Sequence, residues 1–120
     1  MLTVLIIDDE NENCEVLRRL FQRAGWNARC LCDSTAALEE LTRERPDVVL
    51  LDVMMPQLDG FSILRQIRAD ETVGKTPVVM YSALGDQATR QRAMEAGADD
   101  YILKTTPFAV IRERVSRVAA

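Results

Sequence analysis

The chain has 120 residues and a formal net charge of −4; 48% of the residues are hydrophobic and only 5% are aromatic. This length suits a single domain, 1–120, with a mainly aliphatic core, and the negative charge argues against a dedicated nucleic-acid surface. The chain contains no histidine and an odd number of cysteines without a CxxC pair, which excludes Cys/His metal sites.

The three cysteines, Cys14, Cys30 and Cys32, are expected to be buried or half-buried thiols in a reducing cytoplasm. A redox pair of Cys30 and Cys32 is disfavoured, because residues two apart on a strand place their Cα atoms near the upper limit for a disulfide. No stretch resembles a signal peptide, and none approaches the ~18 apolar residues of a membrane span. We therefore expect a cytoplasmic protein without a membrane partner.

The chain begins with an alternation of strand and helix patterns. Thr3–Ile7 is a short apolar run rich in β-branched residues, typical of a parallel strand buried on both faces. Residues 11–24 show helical spacing, and Gly25 is predicted to end that helix in the left-handed conformation. The predicted inward face of this helix consists of Val16, Leu17, Leu20, Phe21 and Ala24.

The alternation continues through the middle of the chain. Trp26–Cys32 alternates and predicts a second strand. Ser34 is predicted to cap a helix over 35–44, which Pro46 stops. Val48–Leu51 is again fully apolar and predicts a third strand that leads into Asp52.

The third helix is predicted to be capped by Asp59, and Pro77–Tyr81 is predicted to be the fourth strand. A fourth helix is predicted over 86–96, ended by Gly97. The apolar face of this helix is thin, and it consists of Ala88, Ala93, Met94 and Ala96.

The chain ends with a short predicted strand, Tyr101–Leu103, and a last helix. Thr106 is predicted to cap that helix and Pro107 to open it. Its apolar stripe consists of Phe108, Ile111, Val115 and Val118.

Five repeats of strand and helix predict a (βα)5 fold. This fold is a doubly wound, parallel, five-stranded sheet in the order 2-1-3-4-5, a flavodoxin-like three-layer sandwich with helices on both faces. The order places strands 1, 3 and 4 at the centre, which suits their apolar character. Ligands of such sheets bind beyond the carboxyl ends of the strands, here between strands 1 and 3.

Polar side chains follow four of the predicted strands at this edge: Asp8, Asp9, Asp52, Ser82 and Lys104. Two carboxylates about 4 Å apart repel by about 4 kcal/mol at an effective dielectric near 20, and one lysine cannot neutralise three. A hard divalent cation such as Mg²⁺ can, with carboxylates, a carbonyl and waters as ligands. A carboxylate in such a site is also a suitable nucleophile toward a phosphoryl group.

Four segments, Val4–Glu10, Leu51–Gly60, Tyr81–Ala83 and Gly97–Lys104, resemble the receiver domain of two-component response regulators. The resemblance covers essentially the whole chain, in order and at the family's spacing. It implies that Asp52 is the phosphoacceptor. It also implies that Asp9, Asp52 and the backbone carbonyl of Met54 bind Mg²⁺ directly, and that Asp8 acts through a metal-bound water.

The same resemblance assigns roles on the phosphoryl side of the site. Lys104 would pair with the phosphoryl group, and the backbone of Ala83 would contact it. Ser82 would be the hydroxyl that moves toward the phosphate, and Tyr101 the aromatic that changes rotamer with it. The chain departs from the family in one place, because Thr105 stands where a proline usually follows the lysine.

The resemblance implies a phosphorylation-dependent signalling switch rather than an enzyme with turnover. Since the chain lacks histidine, the phosphoryl donor would be a separate histidine kinase or histidine phosphotransfer protein. The surface formed by the fourth helix, fifth strand and fifth helix is predicted to shift on phosphorylation. A homodimer through this surface is one partner that we expect. The alternatives are an interaction module that does not use phosphorylation and a phosphatase that turns over an aspartyl phosphate.

Overall fold

The computed structural model describes residues 1–55 and 59–119. Within these residues, five parallel strands form one sheet in the order β2-β1-β3-β4-β5, which confirms the predicted topology. The strands are β1 (Thr3–Ile7), β2 (Asn27–Leu31), β3 (Val48–Asp52), β4 (Val78–Ser82) and β5 (Asp100–Leu103). The helices are α1 (Asn11–Arg23), α2 (Ala37–Glu44), α3 (Gly60–Ala69), α4 (Gln87–Glu95) and α5 (Phe108–Ala119). Residues 56–58 of the predicted phosphoacceptor loop lie outside the described residues.

The sheet separates two apolar cores, and successive residues of each strand enter opposite ones. All residues of β3 and β4 are buried, as expected for central parallel strands. One core, on the α1 and α5 side, contains Val4, Ile6, Val48, Leu50, Phe21 and Ile111. The other, on the side of α2, α3 and α4, contains Leu5, Ile7, Val49, Leu51, Leu41 and Leu64.

The inward face of α1 is rotated relative to the predicted one. Cys14 and Phe21 are the buried residues of this helix, whereas Val16, predicted to face inward, is 58% exposed. The seven-residue step from Cys14 to Phe21 centres the apolar stripe on these two positions. Phe21 then packs edge-on against both Trp26 and Phe108, with ring centroids 5.2 and 5.0 Å apart.

Two predicted helix starts are wrong. Asp33, not Ser34, provides the cap: its carboxylate accepts the Thr35 N–H at 3.0 Å and opens a 3₁₀ turn over Ser34–Ala36 that precedes α2. Likewise α5 begins at Phe108 rather than at Pro107, because the Pro107 carbonyl accepts the first helical hydrogen bond, from the Ile111 N–H at 3.1 Å.

The cap predicted for α3 is confirmed, since the Asp59 carboxylate accepts the Ser62 N–H at 2.8 Å. The thin apolar face predicted for α4 is also confirmed: Ala93 is buried, while Met94 is 43% exposed. A helix with so little burial is held mainly by its ends, and Asp86 caps the first of them through the Thr89 N–H.

The cysteines differ from one another in burial. Cys14 is buried and Cys30 half-buried, as predicted, but Cys32 is exposed because β2 ends one residue earlier, at Leu31. Burial raises the pKa of the Cys14 thiol far above its ordinary value, so that it remains protonated. Within residues 1–55 and 59–119, no helix has both the length and the apolar character that crossing a bilayer requires.

Gly60 holds α3 against the strand that carries Asp52. A Cβ at this position would lie 2.3 Å from the Asp52 carbonyl oxygen and 2.9 Å from Val53 Cα. We expect Gly60→Ala to lower the free energy of unfolding by about 1–3 kcal/mol, measured by urea denaturation, because backbone atoms cannot yield. The control is Gly85→Ala, whose Cβ would meet only the flexible Leu103 side chain, at 3.3 Å. Equal stability of the two variants would contradict this prediction.

Candidate phosphoacceptor and metal site

Alternate residues of a strand lie on the same face of the sheet, and the polar side chains of the candidate site share one such face. Asp8 follows Val4 and Ile6 on the α1 and α5 side, and Asp52 follows Val48 and Leu50 there. The fourth and fifth strands contribute Tyr81 and Lys104 to the same face. Since β1, β3, β4 and β5 are neighbours, these side chains form a row along the carboxyl edge.

Asp52 lies at the centre of this row and is buried. Its Oδ1 accepts the Met54 N–H at 3.3 Å. Its Oδ2 is buried and makes no hydrogen bond within the described residues. Lys104 Nζ lies 3.3 Å from that oxygen and forms an ion pair with it. A buried carboxylate oxygen that accepts no hydrogen bond from the described residues retains lone pairs for a further ligand.

Asp8 is fully buried, and both of its oxygens are engaged. Oδ1 accepts the Glu10 N–H at 2.9 Å, and Oδ2 accepts a hydrogen bond from the Tyr81 hydroxyl. Lys104 Nζ lies 3.7 Å from the same Oδ2. Asp9, the next residue, is exposed at the mouth of the site.

Asp8, Asp9 and Asp52 each contribute one carboxylate oxygen to a group of three atoms that lie within 4.8 Å of one another. One ammonium group, Lys104, faces the two buried carboxylates, so negative charge predominates in the row. Burial, and then the charge of Asp8, raise the pKa of Asp52 from 3.8 to about 6, against the opposing effect of Lys104. The donor set is all oxygen, which suits a hard divalent cation.

Lys104 reaches this site although Thr105 follows it in place of the family's usual proline. All peptide bonds in the described residues are trans, including the one between Lys104 and Thr105. The Lys104 N–H donates to the Ser82 carbonyl at 2.9 Å, which continues the pairing of β4 with β5. This backbone contact places the lysine beside the acidic residues without the proline.

Ser82 and Tyr101 meet at the loop that leads into α4. Ser82 is fully buried, and its Oγ accepts the Leu84 N–H at 3.0 Å. The Tyr101 hydroxyl donates to the Leu84 carbonyl at 2.6 Å. Tyr101, a residue of β5, is buried, and its hydroxyl is bonded to the protein rather than to solvent. Ser82 and Tyr101, the two predicted switch residues, therefore bind the N–H and the carbonyl of the same residue, Leu84.

Two of the predicted contacts involve backbone atoms. The Met54 N–H binds Asp52, and the Met54 side chain is exposed. Ala83 lies in the exposed turn between Ser82 and Leu84. The roles of the Met54 carbonyl and the Ala83 backbone stay predictions.

Tyr81 is a residue of the site that sequence reasoning missed. The sequence places it at the end of the fourth strand and in the Tyr81–Ala83 segment but predicts no role for it, yet its hydroxyl binds Asp8 and its ring centroid lies 5.1 Å from Lys104 Nζ. The period of two could have indicated it, because Tyr81 shares the sheet face of Ile102 and therefore of Lys104.

The fold agrees with the comparisons with known proteins. The family described as "Response regulator receiver domain" matches residues 4–116, and the chain belongs to this family. Among curated relatives, the probable transcriptional regulator ycf27 of Guillardia theta is 41% identical over 117 residues, which cover 98% of this chain and 44% of the relative. The chain spans about half the length of the curated relatives that it matches.

Solved structures show the same fold. The BeF3-activated N-terminal receiver domain of Klebsiella pneumoniae RstA superposes with a TM-score of 0.91 at 30% identity, covering 98% of this chain and 97% of that one. The receiver domain of the sensor histidine kinase PA1611 from Pseudomonas aeruginosa, with a magnesium ion coordinated in its active-site cleft, gives 0.88 at 28%, covering 98% and 97%. The chain is therefore a receiver domain, a class whose general function is phosphorylation-dependent switching.

Proposed function

We propose that this domain accepts a phosphoryl group on Asp52, with Mg²⁺, and passes the change to the face formed by α4, β5 and α5. The observation that carries the proposal is the buried Asp52 Oδ2, without a hydrogen-bond donor in the described residues and 3.3 Å from Lys104. An oxygen of the Asp52 carboxylate would attack phosphorus as the bond from phosphorus to the donor's leaving group breaks. Lys104 would neutralise charge on the transferring group.

The acidic residues fit a magnesium ion. Asp9 and Asp52, with the Met54 carbonyl, would bind the ion directly, while Asp8, whose oxygens are both engaged, would act through a bound water. When bound, the ion would neutralise the carboxylates and the phosphoryl oxygens. The magnesium in the PA1611 receiver domain supports this assignment.

The phosphoryl donor is proposed to be a histidine kinase or a histidine phosphotransfer protein. These 120 residues contain no histidine, so the phosphohistidine must lie outside them. We also propose that the domain is a stoichiometric acceptor with slow self-dephosphorylation rather than an enzyme. Asp8 already accepts two hydrogen bonds, which leaves it a poor base toward an attacking water.

The proposed switch acts through Leu84. Ser82 Oγ holds the Leu84 N–H and Tyr101 holds its carbonyl. If Ser82 turns toward a phosphoryl oxygen, the Leu84 N–H loses its acceptor and the loop into α4 is released. Because α4 buries little apolar surface, a small change in free energy is enough to move it.

The proposed output face carries exposed apolar side chains on the segments that this release would move. These are Leu84, Met94, Leu103 and Val110, each about two-fifths exposed. A surface of this kind suits a partner protein or a second copy of the chain, and we propose a phosphorylation-dependent homodimer there.

The test is phosphorylation by a small acyl phosphate, followed by intact-protein mass spectrometry. We expect a phosphoryl adduct in the presence of Mg²⁺ and none with excess chelator, because the carboxylates then repel the incoming anion. Wild-type protein that binds Mg²⁺ yet takes no phosphoryl group would instead support the interaction module without phosphorylation. Multiple turnover of a phosphate ester would refute stoichiometric acceptance.

Ser82→Ala separates phosphorylation from switching. We expect this variant to take up the phosphoryl group, since Asp52 and Lys104 are intact, but to show much smaller amide NMR shifts in α4, β5 and α5. The control is Ser62→Ala, a serine of α3 outside the acidic row. Full shifts in phosphorylated Ser82→Ala would show that another group transmits the change.

A further inference from the structure

The side chain of Tyr81 crosses the acceptor strand. Tyr81 on β4 pairs in register with Asp52 on β3, and Asp8 lies at the end of β1, on the far side of β3. The hydroxyl of Tyr81 nevertheless donates to Asp8 Oδ2. Its side chain therefore spans the width of β3 beside the Asp52 carboxylate, and both Tyr81 and Asp8 are buried there.

Tyr81 donates this hydrogen bond from a buried, neutral phenol. Burial, and then the charge of Asp8, raise the pKa of Tyr81 well above its ordinary range, which keeps the hydroxyl protonated. A buried carboxylate that lost such a donor would seek another.

The alternative donor is Lys104. Its Nζ lies 3.7 Å from Asp8 Oδ2 and 3.3 Å from Asp52 Oδ2, so the ammonium is nearer to Asp52. The Tyr81 ring lies beneath the same ammonium, 5.1 Å from centroid to Nζ. Tyr81 thus contacts both Asp8 and Lys104, the two charged groups nearest to the Asp52 carboxylate.

We propose that Tyr81 is a positioning residue of the acidic site. Its hydroxyl fixes the orientation of Asp8 and satisfies Oδ2, which leaves Lys104 with Asp52. Asp8 then presents its remaining lone pairs toward a hydrated divalent cation. The inference rests on the proposed function for the role of the cation, but the arrangement of Asp8 and Lys104 exists without it.

Tyr81→Phe tests the hydroxyl while keeping the ring. We expect the dissociation constant for Mg²⁺, measured by calorimetry, to rise about tenfold, as is typical when an outer partner of a metal site is removed. The loss in phosphorylation rate should be smaller at saturating than at limiting Mg²⁺, because the bound cation offsets the charge of Asp8 that draws Lys104 away from Asp52. Thermal unfolding of the same sample verifies that the variant is folded.

NMR provides a measurement that does not depend on metal or activity. The chain has only two lysines, Lys75 and Lys104, so carbon-13-labelled lysine gives two sets of signals, with exposed Lys75 as the internal reference. In metal-free Tyr81→Phe, we expect the Lys104 side-chain signals to shift as the ammonium moves toward Asp8, while those of Lys75 stay in place.

The two hypotheses fail in different ways. A folded Tyr81→Phe protein with wild-type affinity for Mg²⁺ and unshifted Lys104 signals would overturn the positioning role. A wild-type protein that binds no Mg²⁺ and takes no phosphoryl group would overturn the proposed function instead. In that case the Lys104 signals of the metal-free proteins still decide whether Tyr81 arranges the two charged groups.

Discussion

Asp52→Asn is expected to abolish Mg²⁺-dependent incorporation of a phosphoryl group, whereas Asp59→Asn is expected to retain it. Asparagine has the shape of aspartate but lacks the nucleophilic carboxylate and one anionic ligand for the cation. Asp59 is a matched control, because it follows the same strand but is exposed and caps α3, a role that asparagine also fills.

Intact-protein mass spectrometry after treatment with an acyl phosphate and Mg²⁺ measures both variants, and peptide mapping of the wild type locates the adduct. Undiminished labelling of Asp52→Asn would show that another residue is the acceptor. Loss of labelling in Asp59→Asn as well would indicate that the loop, rather than the carboxylate, had been disturbed.

Asp52→Asn is also expected to stabilise the metal-free protein at neutral pH. Its free energy of unfolding should be higher by about 2–3 kcal/mol, as follows from a pKa raised by about two units. The pKa of Asp52 rises from 3.8 to about 6 on folding, so the folded state disfavours the ionised carboxylate. Stability is therefore lost as the pH rises from about 4 through about 6, and the full penalty applies above that range. Asparagine carries no charge, so Asp52→Asn avoids this loss of stability.

Urea denaturation with chelator at pH 7 and at pH 4 measures this effect. The difference between Asp52→Asn and wild type should be largest at pH 7 and should nearly vanish at pH 4, where Asp52 is protonated in the folded protein. Asp59→Asn again serves as the control. Mg²⁺ should reverse the order at pH 7, because it stabilises the protein that binds it more tightly. A metal-free Asp52→Asn protein less stable than wild type at pH 7 would contradict this account.

The helix boundaries show where local sequence is sufficient. Asp59 and Gly97 act on the backbone within a few residues, and both were predicted correctly. Asp33 and Ser34 are adjacent residues that can both cap, and only the burial of Ser34 in the folded chain decides between them. The exposure of Val16 has a similar origin, since the face of a helix that meets the sheet depends on how the helix docks.

The sequence already specified the doubly wound sheet and the residues at its carboxyl edge, because strand and helix periods and the polar residues that end each strand are local patterns. The tertiary structure alone decided which atoms meet. The ion pair of Lys104 with Asp52 and the hydrogen bond of Tyr81 to Asp8 join strands that are distant in sequence. The same is true of the burial of Asp52 Oδ2, which accepts no hydrogen bond within residues 1–55 and 59–119. Such contacts depend on side-chain rotamers and on packing between strands, which no pattern along a single strand encodes.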